Sequence, residues 1–464
     1  MTTICITGLT TCEPGRYEQN RGNMAILLPL CSGLRKAMPD AQLVGTIGLL
    51  DSSAEACHYR FVPHATALSR QGRIASRIEY AWARLDLLRA SIWGLLRKNL
   101  LVDARILIGG KRLAPFRDAD LVLFFNGDIF GDNARPRRLK RFALDMLIAV
   151  ALGKPAVEFA GSPGPFTASR ESRAAQHVLE RLSLVLTRED LSAKLLRQAG
   201  VKGVPIVAAA CPAFLLEPAS PERVAEILRE EGIDLSGPPT IGMNLTAHNF
   251  GIGGGNVTQE KVGRFRNLEQ YAGVLRRMLD QTEANVLLIP HAYYFDAASG
   301  KDLQTNDYTV LERLYELVGG DKYGRRLRIL KGIYSVSELK GLLGRLDLYV
   351  AGRMHSAIGA ISQCVPTVFL AYGHKHRGIA GLLNQARYVC TSQETESVWE
   401  TVQDAWINRA RIRQELQAAV PAVKRRATRS FDVVRAILGE AAAAGGYYAS
   451  KPAEQSLQQL VDAP

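Results

Sequence analysis

Paired cysteines are missing from this chain. Cys5, Cys12, Cys31, Cys57, Cys211, Cys364 and Cys390 stand singly with no Cys-x-x-Cys among them, which excludes a zinc knuckle and suits a reducing cytosol. Long apolar runs are missing too. Phe142 to Val150 is broken by Asp145 and falls well short of the ~18 apolar residues of a membrane span. The start, Met1-Thr-Thr-Ile-Cys-Ile-Thr-Gly8, reads as a buried strand without the basic flank and apolar core of a secretory signal, so a cytoplasmic location is expected. The first loop holds neither Gly-x-x-x-x-Gly-Lys-Ser/Thr nor Gly-x-Gly-x-x-Gly, which leaves ATP hydrolysis and ordinary dinucleotide binding unsupported. Aromatic residues make up only 7%, and no aromatic-rich basic motif of an RNA- or DNA-binding fold is evident, so no nucleic acid partner is expected.

What is present is a globular composition, 47% hydrophobic and 22% charged, over 464 residues, enough for two domains of roughly 200 residues each. Lys plus Arg exceed Asp plus Glu by 58 − 45 = 13, a surplus that favours an anionic partner. Short β-rich apolar runs alternate with helical patterns: Ile4–Thr7, Leu43–Gly48, Leu121–Phe125, Ala156–Phe159 and Leu184–Leu186, with a helix about Met24–Met38. After the Pro-rich stretch Cys211–Pro221 a second series follows, Thr240–Leu245, Val286–Ile289, Arg328–Leu330, Leu348–Ala351 and Thr367–Leu370. This is an α/β pattern of parallel sheets covered on both faces, and it predicts two Rossmann-like domains, residues 1–218 and 219–400, facing across a cleft.

Three segments stand outside that plan. Arg73 to Leu101 places Ile74, Ile78, Leu85, Leu88, Ile92 and Leu95 at helical spacing among arginines; such a stripe either docks on the N-terminal sheet or lies on an acidic membrane surface. Arg135 to Arg141 is a basic run that reads as a solvated face. From about Ala441 the Ala, Gly, Ser and Gln content predicts a flexible tail, residues 439–464.

Ligands of open α/β sheets bind beyond the carboxyl ends of the strands, so residues after strands are the candidates. Asn20 and Asn23, in the loop Gly8–Met24, are either turn and cap residues or ligands for a sugar hydroxyl or anion. Asn126-Gly-Asp128 and Asp132 follow the strand Leu121–Phe125; the carboxylates serve as acid, base or hydroxyl-binding groups, or as Asx turns. No His or Cys lies near them, so no metal site is expected. Arg188, at the start of a helix after Leu184–Leu186, suits a phosphate or carboxylate or a salt bridge to Glu189. His291 closes the strand Val286–Ile289, where a histidine suits proton transfer or oxyanion binding. Arg353 and His355 follow one strand and Lys375 and His376 the next, so four cationic side chains can converge on one polyanion.

The ordered set Asn20-x-Gly-Asn23, Asn126-Gly-Asp128, Gly164-Pro-Phe166, Leu186-Thr-Arg-Glu189, Cys211-Pro-Ala-Phe-Leu-Leu216, Ile289-Pro-His291 with Asn306-Asp307, Gly352-Arg-Met-His355 and Tyr372-Gly-x-Lys375 resembles the polysaccharide pyruvyl transferase family from Ile4 to about Leu383. Asn23, Cys211 and Asn126 stand where many members have Asp, Asp and Gly. The resemblance implies a fold similar to the B-type glycosyltransferases, with a C-terminal helical segment, residues 401–438, returning to the N-terminal domain. It implies phosphoenolpyruvate as co-substrate, with no further cofactor, and a saccharide acceptor, often lipid-linked, converted to a cyclic pyruvate ketal.

On that basis the expected roles are as follows. His355 or His291 is the general acid and Asp128 orients or deprotonates the acceptor. Arg188, Arg353, Lys375 and His376 hold the donor, because phosphoenolpyruvate puts a phosphate and a carboxylate on three carbons. Asn20, Asn23, Asn126 and Glu189 hold the acceptor. Two competing functions are a nucleotide-sugar glycosyltransferase of the same architecture, with Glu394 or Glu396 on the ribose, and a non-catalytic binder of anionic polymers.

Overall fold

The computed structural model describes residues 2–8, 16–46, 60–61, 72–100, 104–125, 127–132, 136–167, 169–251, 262, 265, 267–296, 301–302, 307–443 and 453–463. The chain divides into two compact units. The first comprises Met1–Pro14, Leu30–Pro212 and Arg425–Pro464; the second comprises Gly15–Pro29 and Ala213–Lys424. Residues 15–29, expected in the first domain, thus group with the second, and residues of the long helix Arg409–Ala443 are divided between the two.

The first unit is built on a seven-stranded parallel sheet in the order Arg60–Phe61, Gln42–Gly45, Thr3–Gly8, Leu121–Phe125, Ala156–Gly161, Leu184–Thr187, Ile206–Ala208. Its inner strands are buried on both faces, which is why Leu121–Phe125 reads as an unbroken apolar run rather than an alternating one. Helix starts are set by local hydrogen bonds: Ser169 caps Arg170–Leu179 by accepting from the Ser172 N–H at 3.0 Å, and Glu189 caps Asp190–Gln198 by accepting from the Ser192 N–H at 2.8 Å. Helix Arg21–Ala37 approaches Arg409–Ala443 closely at Gly33, where a Cβ would stand 2.2 Å from the Phe431 ring; that ring stacks on Phe159 with centroids 5.9 Å apart.

The second unit has a six-stranded parallel sheet, in the order Leu327–Ile329, Asn285–Leu288, Thr240–Asn244, Leu348–Ala351, Thr367–Ala371, Val389–Thr391. Helices follow the strands, started by devices readable in the sequence: Ser220 before Pro221, and the capping box of Ser335 with Glu338. A three-stranded antiparallel sheet also belongs to this unit and was not foreseen. Arg16–Asn20 pairs with Ala292–Asp296, which pairs with Lys301–Asp302.

Two sequence expectations are corrected. Helix Gly72–Leu100 buries Ala83, Asp86, Ala90 and Trp93 and packs on the helix Pro136–Ala151, whereas Ile78, Leu85, Leu88, Ile92 and Leu95 are exposed, which sets aside the docking on the sheet that was one of the two readings of this stripe; the side chain of Ile74 lies outside those described. Small residues on the opposite face permit the close approach: a Cβ at Gly94 would lie 2.7 Å from the Ala151 carbonyl oxygen. The expected flexible tail contains the helix Glu454–Asp462, anchored by buried Leu457 and Val461. That i, i+4 pair was hidden in a polar composition. Glu454 and Gln458 accept the N–H groups of Ile206 and Ala208, each at 2.8 Å, which occupies backbone donors of the sheet's last strand. Leu457→Asp should therefore undock this helix and speed amide exchange at Ile206 and Ala208 about tenfold or more, a loss of local protection readable by hydrogen exchange; unchanged exchange at both would contradict the docking.

Candidate active site

In the second unit, Leu348–Ala351 runs into Gly352 and Arg353, and the helix Met354–Ile361 starts at once with Arg353 as its N-cap residue and His355 in its first turn. Gly352 has no room for a side chain, since a Cβ would stand 2.4 Å from Asn249 Oδ1 and 2.7 Å from the Asn244 carbonyl oxygen. The neighbouring strand Thr367–Ala371 leads to the helix His374–Gly381, which carries Lys375 and His376.

Arg353 is buried and bidentate to Asp307: Nε donates to Oδ2 at 2.6 Å and Nη2 to Oδ1 at 2.7 Å. The same carboxylate accepts from the backbone N–H groups of His291 at 3.1 Å and Ala292 at 3.0 Å, and from Asn244 Nδ2 at 3.2 Å. Asn244 Nδ2 also donates to the Ile289 carbonyl at 2.9 Å. One fully buried carboxylate therefore ties together the ends of three strands and the start of the helix Asp307–Val318. The expectation for Arg353 was direct contact with an anionic donor; its guanidinium is instead largely charge-compensated within the protein.

His291 is fully buried, and burial together with the charges of Arg353 and Arg21 pushes its pKa down to about 3. Its imidazole is neutral near pH 7, which argues against it as the stored proton of a general acid. Its Nδ1 has no hydrogen-bond partner among the described residues. Asn20 ends the strand Arg16–Asn20 directly opposite Ala292, and Asn23 is buried in the first turn of the next helix, so this motif belongs beside His291 rather than in an open loop.

A small cavity, with about 10 Å³ open to the centre of a water and so room for about one, is lined by His291, His355 and Lys340 with Ala25, Leu216 and Gly359. Lys340 was not foreseen. It is buried on the helix Val336–Leu343, its Nζ donates to the Leu216 carbonyl at 2.5 Å, and burial with the charge of Lys424 brings its pKa down to about 7. The signal was a lysine on the same face as Val336 and Leu343, an inward position of an otherwise apolar helix. Lys375 Nζ lies 4.9 Å from the centre of the Tyr372 ring, which also meets His376 edge-on at 4.6 Å and His248 at 5.1 Å. His376 is fully buried, its Nδ1 3.3 Å from the Gly373 carbonyl.

The remaining candidates belong to the first unit. Asp128 is half-buried after Leu121–Phe125, on the turn made at Gly127 with φ +66°; Asn126 lies outside the described residues. Asp132 accepts hydrogen bonds from Thr167 N–H and Oγ1 at 3.1 and 2.9 Å and from Ser169 and Ser172. Burial raises its pKa, but these bonds outweigh that and hold the carboxyl below its usual range. It is a loop anchor. Arg188 stands just before the helix Asp190–Gln198 and is buried, with Nε donating to Ser162 Oγ at 2.7 Å. Glu189 is spent as the cap described above, with burial raising its pKa. Among the described residues no cluster of His, Cys, Asp or Glu could hold a metal ion.

Each unit is an open parallel sheet with helices between its strands, and in the second the side chains gather past the carboxyl ends of the strands, as in Rossmann-like enzymes that bind small anionic ligands. Comparison with solved structures agrees on this fold. The S. aureus MnaA–UDP complex aligns with a TM-score of 0.57 at 12% identity over 98% of this chain and 99% of that one. The UDP-GlcNAc 2-epimerase of Neisseria meningitidis aligns at 0.55 and 9% over 95% and 100%, and a glycosyltransferase from Rickettsia africae at 0.51 and 9% over 97% and 100%. The fold is that of two Rossmann-like domains of the B-type glycosyltransferase kind. The chain belongs to the polysaccharide pyruvyl transferase family, whose pattern matches residues 20–374. The amylovoran biosynthesis protein AmsJ of Erwinia amylovora is 24% identical over 267 residues, 56% of this chain and 58% of AmsJ, so the match spans less than two thirds of that relative.

Two predictions follow from the buried charges. Asp307→Asn leaves the Arg353 charge uncompensated and should destabilise the second unit by about 3 kcal/mol, measured by denaturant unfolding. For Lys340, a folded pKa near 7 lies below the unfolded value near 10.4, so the unfolded chain binds the extra proton between those limits and stability rises with pH across that window. The difference in unfolding free energy between wild type and Lys340→Met should therefore change from pH 7 to 10 and level off below 7; a constant difference would refute the depressed pKa.

Proposed function

We propose that this chain transfers the pyruvate carbons of phosphoenolpyruvate to a saccharide as a cyclic ketal, in exopolysaccharide biosynthesis. Membership of the pyruvyl transferase family carries the reading. The likeness to a biosynthesis protein of the polysaccharide amylovoran favours the same class of acceptor. The chemistry needs a proton on the methylene carbon of phosphoenolpyruvate, departure of phosphate from the neighbouring carbon, and loss of a proton from each of two sugar hydroxyls that add there. Adjacent strand ends carrying Arg353 with His355, and Lys375 with His376, suit a donor bearing both phosphate and carboxylate.

In this proposal His355 delivers the proton to the methylene carbon and Lys375 holds the donor's charge. Arg353 is kept in orientation by Asp307 so that the strand ends keep their geometry as the donor binds. Neutral His291 serves as a hydrogen-bonding group rather than an acid. Asp128 is assigned to the acceptor hydroxyl, with Asn20, Asn23 and Asn126 as further candidates for that contact, and Arg188 as a further candidate for the donor; Glu189 supports the helix start beside it.

A nucleotide-sugar transferase on this fold would need an acidic side chain for the ribose. Of the two candidates, Glu396 already accepts from Arg277 Nη1 at 2.8 and 2.9 Å. The test is mass spectrometry of a saccharide panel, free and lipid-linked, incubated with phosphoenolpyruvate or with nucleotide sugars. The expected result is a product heavier by pyruvate less one water, formed only with phosphoenolpyruvate, at a rate lowered about 100-fold or more by His355→Ala. Incorporation of a hexose in its place, or full activity of His355→Ala, would overturn the reading.

A further inference from the structure

The helix Gly72–Leu100 has two unlike faces. Inward it presents Ala83, Asp86, Ala90 and Trp93, all buried. Outward it presents Ile78, Trp82, Leu85, Leu88, Ile92 and Leu95, each 39–60% exposed. Spacings of three and four residues put these six on one stripe spanning an arc of about 140° at 3.6 residues per turn. Among the described residues they are six of the ten large apolar side chains that are exposed. Scattered exposed hydrophobics are ordinary on a protein surface; a continuous row of six is the mark of a docking face.

The charge pattern says what covers it. The helix carries Arg73, Arg77, Arg84, Arg89, Arg97 and Lys98 against Glu79 and Asp86, six minus two or +4. Asp86 does not oppose an anionic surface. It is buried on the inner face, bonded by Arg112 Nε at 3.0 Å, with Arg89 Nη1 3.7 Å away. Arg84, by contrast, is exposed beside the stripe. No helix among the described residues is long and apolar enough to cross a bilayer, so contact would be peripheral. An exposed apolar stripe with a basic surround and a tryptophan within it fits the boundary between headgroups and acyl chains of an acidic membrane.

We infer that the outer face of the helix Gly72–Leu100 docks this protein on the surface of an acidic phospholipid bilayer, seating Trp82 and the adjacent leucines and isoleucines among the acyl chains while the arginines meet lipid phosphates. This inference stands on the helix alone and is independent of the reaction proposed above. A second copy of the chain could cover the same stripe, but two such faces would bring like charges together.

The test uses the full chain with vesicles of phosphatidylglycerol mixed with phosphatidylcholine, and vesicles of phosphatidylcholine alone. Expected are co-sedimentation with the acidic vesicles, a blue shift of tryptophan emission that Trp82→Phe removes, and binding weakened about tenfold or more by Leu85→Ser with Leu88→Ser and, separately, by Arg84→Glu. Circular dichroism and unfolding midpoints of these variants should match the wild type, because every altered side chain is exposed. Failure to bind acidic vesicles at low salt would overturn the inference. So would equal binding by the double serine variant, or a dimer in sedimentation equilibrium that the double serine variant dissolves.

Discussion

The arrangement of the second unit depends on one buried ion pair. Asp307 is inaccessible to solvent, and an isolated carboxylate there would be very costly; it is tolerated because Arg353 meets it with two short bonds while His291 N–H, Ala292 N–H and Asn244 share the remaining lone pairs. Those four partners come from three strand ends, His291 and Ala292 being neighbours on one segment. Satisfying the carboxylate therefore fixes the strand ends relative to one another and sets where the helix bearing His355 begins. The turn is then narrowed by Gly352, which has Asn249 and the Asn244 backbone where a side chain would be.

Around that pair, burial makes neutral species out of groups that are usually charged. His291, beside two arginines, does not take up a proton near pH 7, and burial brings the pKa of Lys340, facing the same small cavity, down to about 7. The cluster of Tyr372 with Lys375, His376 and His248 adds an aromatic face that holds the ammonium in place without neutralising it.

In the first unit two acids that look catalytic in sequence are bonded to nearby backbone and hydroxyl groups. Asp132 gathers the Thr167–Ser172 segment and Glu189 caps a helix. Both follow strands, as active carboxylates do, and nothing in their immediate sequence distinguishes a carboxylate aimed at solvent from one folded back on nearby N–H and O–H groups. The helix Gly72–Leu100 makes the same point for apolar residues. Its Ile and Leu stripe stays outside, and the inner face, where Ala83, Ala90 and Gly94 allow close packing on the helix Pro136–Ala151, carries Trp93 into the interior.

Local pattern was enough for the parallel strands that were read from apolar runs and for the family, whose motifs are short and keep their order. Those features rest on interactions between residues close in the chain, or on burial that needs only an apolar composition. Short segments such as Arg60–Phe61 and Ile206–Ala208, and the antiparallel strands Arg16–Asn20 and Ala292–Asp296, had no such signature, because their pairing lies between stretches distant in sequence. The partner of Arg353 stands 46 residues away. Which cation is paired, which histidine is kept neutral and which helix face stays exposed are decided by desolvation and by contacts across the fold, and those exist only once the chain is packed.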